Sequence, residues 1–170
     1  MTLEGFSRDI VPIIGLVSIF LIFWQLRITN KWNKYNFTYN ILNSGKLYEL
    51  EYKVMNLFKA QGIDIVAIKK IDDSILEKIK KDQDLNNSIC EYLSFLENFC
   101  IGLKHGAVEK NIAYDAISET VVTQWVRYEK YIDWFNEDHD GIYSELENWA
   151  KQWGANDQSP SYKTSRKPDA

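Results

Sequence analysis

The chain has 170 residues, enough for one domain, and its 45% apolar and 14% aromatic content excludes an intrinsically disordered protein. It contains only 8 glycines and 3 prolines, which argues against a turn-rich all-β fold. A net charge of -4 gives no general reason to expect nucleic-acid binding, and two cysteines ten residues apart on one predicted helix cannot build a disulfide framework.

The N-terminal segment is the most apolar part of the chain. Residues 10–26 carry no charge, and 17 helical residues extend about 25 Å, the short end of what crosses a hydrocarbon core. A signal peptide fits less well, because residues 1–9 are not basic and no small-residue cleavage site follows; a buried helix is the other alternative. The pattern predicts a short extramembrane segment at 1–9 and a transmembrane helix at 10–27.

The charges that flank this segment predict its orientation. Arg27, Lys31 and Lys34 follow it, and no acidic residue occurs between this segment and Glu49. Because Lys and Arg near a membrane span favour the cytoplasmic side, we expect the C-terminal part in the cytoplasm and the N-terminus outside.

The rest of the chain has the apolar periodicity of helices, so the predicted fold class is all-α. We expect a juxtamembrane stalk at 28–45, a small helical-bundle cytoplasmic domain at 46–153 and a flexible tail at 154–170. Within the domain, the pattern predicts helices over 73–82 and 111–135. Ser88 to Glu91 has a capping-box pattern that predicts the start of a third helix.

The run IDIVAI, residues 63–68, is strand-like in composition. A single strand would have no partner in an otherwise helical domain, so we expect a buried loop or short helix there.

Small and polar residues recur along one face of the predicted span. Their spacing of three and four keeps them on one side of a helix, where they would line a pore or pack against other helices. The alternative is a plain anchor in which they have no role. The residues of this stripe are Val11, Gly15, Ser18, Ile22, Gln25 and Thr29.

Five lysines lie close together in an otherwise acidic domain. They would contact an anionic lipid or a nucleotide-like ligand, although interspersed acidic residues also fit a simple solvated face. They are Lys69, Lys70, Lys78, Lys80 and Lys81.

Catalytic and metal-binding patterns are weak. His105 and His139 lack partners at metal-ligand spacing. Glu91 and Glu97 are six residues apart and therefore on different faces of a helix, which favours surface or capping roles over a catalytic pair. We expect no enzyme activity, no cofactor and no structural metal.

Four segments carry a resemblance to a known family: ICEYLSFLENFCIGLKHGAV (89–108), AYDAI (113–117), VVTQWVRYEKYI (121–132) and YSELENWAKQW (143–153). They resemble an uncharacterised bacterial family of small proteins with an N-terminal membrane helix and a helical cytoplasmic domain. The residues that match its pattern are Tyr92, Leu93, Glu97, Gly102, Gly106, Leu146, Trp149, Ala150 and Trp153.

The resemblance implies a function in bacterial phage defence, since such proteins occur in phage-defence loci. The layout is similar to the channel-forming effector subunit of the Hailong defence system, which a DNA oligomer holds inactive. It implies an oligomeric effector of the inner membrane, an ion channel or a permeabilising protein. Its expected partners are the lipid bilayer, further copies of the chain (a tetramer, for example) and a nucleotide or short DNA oligomer made by a partner enzyme. The alternative is a membrane-tethered sensor or scaffold that conducts no ions.

Overall fold

The computed structural model describes residues 3–139 and 141–157, with side chains described for 15–139 and 141–154. This part of the chain is helical and contains no β-strand, which confirms the predicted all-α class. Its helices are α1 (Leu3–Asn43), α2 (Lys46–Ala60), α3 (Asp73–Lys81), α4 (Gln83–Lys104), α5 (Lys110–Asn136) and α6 (Ser144–Asp157).

Helix α1 corrects the prediction of a membrane anchor. It runs for 41 residues without a break through both the predicted span and the predicted stalk. Across the described residues, no helix is both long enough and apolar enough to cross a membrane. This finding contradicts the predicted transmembrane helix at 10–27 and, with it, the predicted single-pass location in the inner membrane.

The physical reason lies in the charged half of α1. Side chains are described from residue 15 onward, and the apolar stretch that they form ends at residue 26. Arg27, Lys31 and Lys34 then interrupt it. The side chains of residues 1–14, which include the start of the predicted span, lie outside the described part.

The core of the domain is built around α4. This helix packs against α2, α3 and α6, and α5 packs mainly against α6. A helix surrounded in this way needs apolar residues on more than one face. Its fully buried side chains include Leu85, Ile89, Leu93, Leu96 and Cys100.

Aspartates fix the starts of α3 and α4. Asp72 accepts a hydrogen bond from the Ile75 N–H at 2.8 Å, and Asp82 accepts one from the Leu85 N–H at 2.9 Å. The predicted capping box at 88–91 is therefore wrong. Ser88 lies inside α4, where its hydroxyl donates to the Asp84 carbonyl at 2.8 Å.

The connection between α2 and α3 is a loop, as predicted for the IDIVAI run. Ile63, Ile65 and Ile71 of this loop are buried. Arg127 of α5 holds the loop at two points: its Nε donates to the Ile68 carbonyl and its own carbonyl accepts from the Ile71 N–H, both at 3.0 Å. These two hydrogen bonds to α5, one from a side chain and one between backbone groups, take the place of pairing with a second strand.

The C-terminal third of α1 packs against the domain, and a buried threonine is one of its contacts. The Thr38 hydroxyl donates to the Lys34 carbonyl at 2.8 Å and accepts from the Glu109 N–H at 2.7 Å. Thr38 is fully buried, and Glu109 caps α5 without any bond from its own side chain. Thr38 therefore supplies a cap to α5 from a different helix.

We expect Thr38→Val to lower the free energy of unfolding by about 1–2 kcal/mol, because the Glu109 N–H would lose its acceptor in a buried place. Denaturant unfolding measures this, and Thr38→Ser, which keeps the hydroxyl, is the control. A larger loss in Thr38→Ser than in Thr38→Val would show that methyl packing, not the hydrogen bond, holds α1 to α5.

The predicted start of the tail, residue 154, lies within a helix. Helix α6 continues past residue 154 to Asp157. Residues 158–170 of the predicted tail lie outside the described part of the chain.

Candidate functional site

The first candidate feature is the α1 surface, the apolar side chains of 16–26. Leu16, Phe20 and Phe23 are 69%, 65% and 68% exposed, and their i, i+4, i+7 spacing places them on one face of the helix. An apolar patch of this extent on a single chain marks an interaction site. The other large members of the α1 surface are Val17, Ile19, Leu21, Ile22, Trp24 and Leu26.

The predicted stripe of small and polar residues lies on this helix. Gly15, Ser18, Ile22, Gln25 and Thr29 are all exposed, and the side chain of Val11 lies outside the described part. A Cβ added at Gly15 would meet nothing within 4 Å. The stripe therefore has open space beside it, and its role in pore lining or helix packing stays a prediction.

The exposed apolar character continues where α1 approaches the domain. A groove of about 490 Å³ runs between this part of α1 and Ile112 of α5. Trp32 and Tyr39 line it and are more than 60% exposed, and the Lys31 ammonium lies 5.7 Å from the centre of the Tyr35 ring.

The lysine group does not form one site. Lys70 pairs with Glu129, and Lys80 pairs with Glu77 at 3.0 Å while it lies over the Trp134 ring. Lysines at a helix C-terminus also stabilise it through the helix dipole; those in the last turn of α3 are Lys78, Lys80 and Lys81. Lys69 is exposed in the loop. Contact of these lysines with an anionic ligand stays a prediction.

The second candidate feature is the α2–α5 cavity, a cleft of about 320 Å³. Side chains of α2, α5 and the α2–α3 loop form its walls, and Tyr92 of α4 contributes from the centre of the domain. Its lining residues are Glu51, Val54, Met55, Ile65, Val66, Tyr92, Asp115, Ala116, Ser118, Glu119, Thr120, Thr123, Gln124, Arg127 and Tyr128.

A chain of hydrogen bonds crosses the cavity wall. Arg127 Nη1 donates to Gln124 Oε1 at 2.9 Å, and Gln124 Nε2 donates to Glu51 Oε1 at 3.3 Å. Gln124 is only 4% exposed, so these bonds fix its amide and orient the Glu51 carboxylate.

Tyr92 has a buried hydroxyl without a hydrogen-bond partner among the described residues. Its side chain is 1% exposed, and its ring meets the Tyr128 ring edge-on at 6.5 Å. Burial raises the pKa of Tyr92, and the Glu51 charge raises it further. The hydroxyl therefore stays protonated and can both donate and accept a hydrogen bond.

The sequence pattern placed Tyr92 in the core and missed this cavity. One signal could have pointed to it. Gln124 interrupts an otherwise apolar face formed by Ile117, Val121 and Tyr128 at helical spacing. A polar residue on a core-facing stripe needs a polar environment, which here is the cavity.

The two glutamates of α4 have the roles predicted for them. Glu97 is 7% exposed and accepts from the backbone N–H groups of Glu145 at 3.1 Å and Leu146 at 2.7 Å. It thus caps the start of α6 from another helix. Glu91 is on the surface, where its hydrogen bond to Lys53 holds its pKa below the usual value.

The histidine and cysteine side chains of the described part do not group into a reactive site. In the residues that the structure describes, no three His, Cys, Asp or Glu side chains group as a metal site would require. Burial raises the pKa of the Cys100 thiol, so it is a poor nucleophile. The Cys90 thiol lies 2.9 Å from the Tyr131 hydroxyl, and His139 stacks on Phe135.

Comparison with known families identifies a domain of unknown function, DUF4760, over residues 12–153. The chain belongs to the DUF4760 family. This agrees with the expected membership of an uncharacterised family. Neither curated proteins nor solved structures give a match.

The DUF4760 domain includes both candidate features. It begins inside α1 and ends near the end of α6. The α1 surface and the α2–α5 cavity therefore belong to one family unit, and α1 is part of the domain that defines the family.

Proposed function

We propose that this DUF4760 protein is an oligomeric effector of bacterial phage defence that assembles through α1 and is controlled through its helical domain. The observation that carries the proposal is the α1 surface, whose large apolar side chains have more than half of their area exposed. Association of copies would remove this area from water and so stabilise the assembly.

The stripe on α1 favours a second copy as the partner. Gly15 leaves open space beside the helix, so that two backbones can approach closely, as small residues permit in helix pairs. In a symmetric contact the same stripe faces itself, and the Gln25 side chain can donate to and accept from its copy.

Control by the domain is supported by the way α1 is held. The Thr38 hydroxyl joins α1 to the N-terminus of α5, and α5 also forms a wall of the α2–α5 cavity. A structural change at the cavity can therefore be transmitted to α1 through α5.

The defence context of this proposal comes from the family resemblance of the four segments between residues 89 and 153. The activity of the assembled protein is a separate question. Ion conduction, expected from the resemblance, and recruitment of a partner without conduction, its alternative, both stay predictions.

We expect Gly15→Leu to reduce the mass of the assembled protein, because a bulky side chain holds the helices apart. Since nothing in the chain lies within 4 Å of a Cβ at Gly15, the substitution should leave the fold of a single copy unchanged. Light scattering of the purified full chain measures the mass, and circular dichroism checks the fold.

Val17→Leu is the matched control, because it adds bulk to α1 away from the stripe and should leave the mass unchanged. A monomeric wild-type protein would overturn the proposal. So would an assembly that Gly15→Leu and Val17→Leu leave equally intact.

A further inference from the structure

The α1–α5 groove, which runs between α1 and Ile112 of α5, continues a face of α1 that begins at Gly15. Its α1 residues include Trp32, Asn36 and Tyr39, all exposed. They extend the alternating spacing of three and four residues that runs through the stripe. One uncharged face of α1 therefore reaches about 36 Å along the helix, from the stripe into the groove.

The charges of α1 lie off the uncharged face. From position 15 onward the helix has three cations, Arg27, Lys31 and Lys34, and no acid, and none of the cations falls on the spacing that begins at Gly15. The opposite face leads from Phe20 to Arg27 and Lys34 and then to the domain. A second helix can therefore lie along the uncharged face for its whole length without burying a charge.

An antiparallel second copy of α1 matches the uncharged face in size and polarity. When position 27 of one helix is level with position 27 of the other, each residue meets the one equally far beyond that point. Every aromatic residue then meets a smaller apolar residue or glycine, and every polar residue meets one that can form a hydrogen bond with it. The pairs, one residue from each copy, are Trp32–Ile22, Tyr39–Gly15, Asn36–Ser18 and Thr29–Gln25.

A parallel second copy fits less well. Each residue would then be level with its own copy, so that Trp32 would meet Trp32 and Gly15 would meet Gly15. The two Lys31 side chains, which lie at the edge of the groove, would come to the same height, where like charges repel. Antiparallel pairing instead brings Lys31 level with Phe23 of the second copy.

We propose that the α1–α5 groove seats the N-terminal half of α1 from a second copy, so that two chains form an antiparallel pair with two such contacts. This inference rests on the proposed assembly through α1 and adds its arrangement. Six large apolar side chains at the contact each expose on the order of 100 Å², so a pair would bury about 1,200 Å², the lower end of the range for stable interfaces. They are Ile19, Ile22, Leu26, Ile28, Trp32 and Tyr39.

Disulfide cross-linking of the full chain tests the direction of the pair. In the antiparallel arrangement, residue 18 of one copy lies about 27 Å along the axis from residue 18 of the other and faces residue 36. We therefore expect no cross-linked dimer from Ser18→Cys or Asn36→Cys alone, and a cross-linked dimer when the two variants are co-expressed. The wild type, oxidised in the same way, controls for Cys90 and Cys100.

Trp32→Glu tests the groove itself. We expect it to raise the dissociation constant of the assembly at least tenfold, because it places an unpaired charge in an apolar contact. Asn30→Glu is the matched control: it adds the same charge at an exposed position of α1 outside the uncharged face, and it should associate as the wild type does. Analytical ultracentrifugation measures the association, and circular dichroism checks the fold.

The outcomes separate this inference from the proposed assembly. Cross-linking of either cysteine variant alone, no cross-link from the co-expressed variants, or association that Trp32→Glu and Asn30→Glu affect equally would overturn the antiparallel pair and leave assembly through α1 standing. A monomeric wild-type protein would leave the groove to another occupant and would overturn both.

Discussion

Replacing Trp153 by alanine should lower the free energy of unfolding by about 3–5 kcal/mol. Trp153 is 1% exposed and is among the largest fully buried side chains of the domain. Its ring meets the Tyr114 ring edge-on at 5.8 Å and the Trp149 ring at 5.2 Å. Since α6 packs on both α4 and α5, the cavity left by alanine would lie where three helices meet.

Urea denaturation at a constant chain concentration measures this loss. Trp153→Phe is the control and should cost less than about 1.5 kcal/mol, because it keeps an aromatic ring and removes an indole N–H that has no partner among the described residues. A loss below about 1 kcal/mol for Trp153→Ala would mean that α6 does not pack on the domain as described.

Replacing Glu97 by alanine should lower the free energy of unfolding by about 2–3 kcal/mol. The carboxylate accepts two backbone N–H bonds at the start of α6, and hydrogen bonds to charged groups contribute about 1.5–3 kcal/mol each when they are broken on one side. The expected value lies at or below the lower end of the sum for two such bonds, about 3–6 kcal/mol, because water reaches the exposed N-terminal residue Ser144.

Glu91→Ala on the same helix is the matched control. Its carboxylate is about half exposed and its partners are surface lysines, so its loss should stay below about 1 kcal/mol. Equal losses at the two positions would show that Glu97 does not cap α6.

The stability that depends on Glu97 should also vary with pH. Burial raises the pKa of Glu97 above its usual value, against the lowering by its two backbone hydrogen bonds. Between the unfolded pKa near 4.5 and the higher folded pKa, the folded state binds more protons, so stability falls as pH rises through this window. The difference in unfolding free energy between wild type and Glu97→Gln should therefore decrease from acidic to neutral pH. A difference independent of pH would contradict the raised pKa.

Most of the helices could be predicted from the sequence, because their signals are local. The expected helices at 73–82 and 111–135 are observed as α3 and α5 with bounds that differ by one residue. Periodicity in the core-facing residues and helix-starting aspartates such as Asp72 act within a few residues of the chain. Ser88 shows the limit of such signals: a serine that fits a cap also fits a helix interior, and Asp82 begins the helix instead.

Only the tertiary structure decided which residues from distant parts of the sequence contact each other. Glu97 caps a helix that begins 47 residues later, and Thr38 accepts from an N–H that follows it by 71 residues. The α2–α5 cavity likewise brings Glu51 and Gln124 together from two helices. The sequence determined the helical segments and their apolar faces through short-range geometry. Packing determined the caps between helices and the cavity, because these depend on distances between segments that no local pattern encodes.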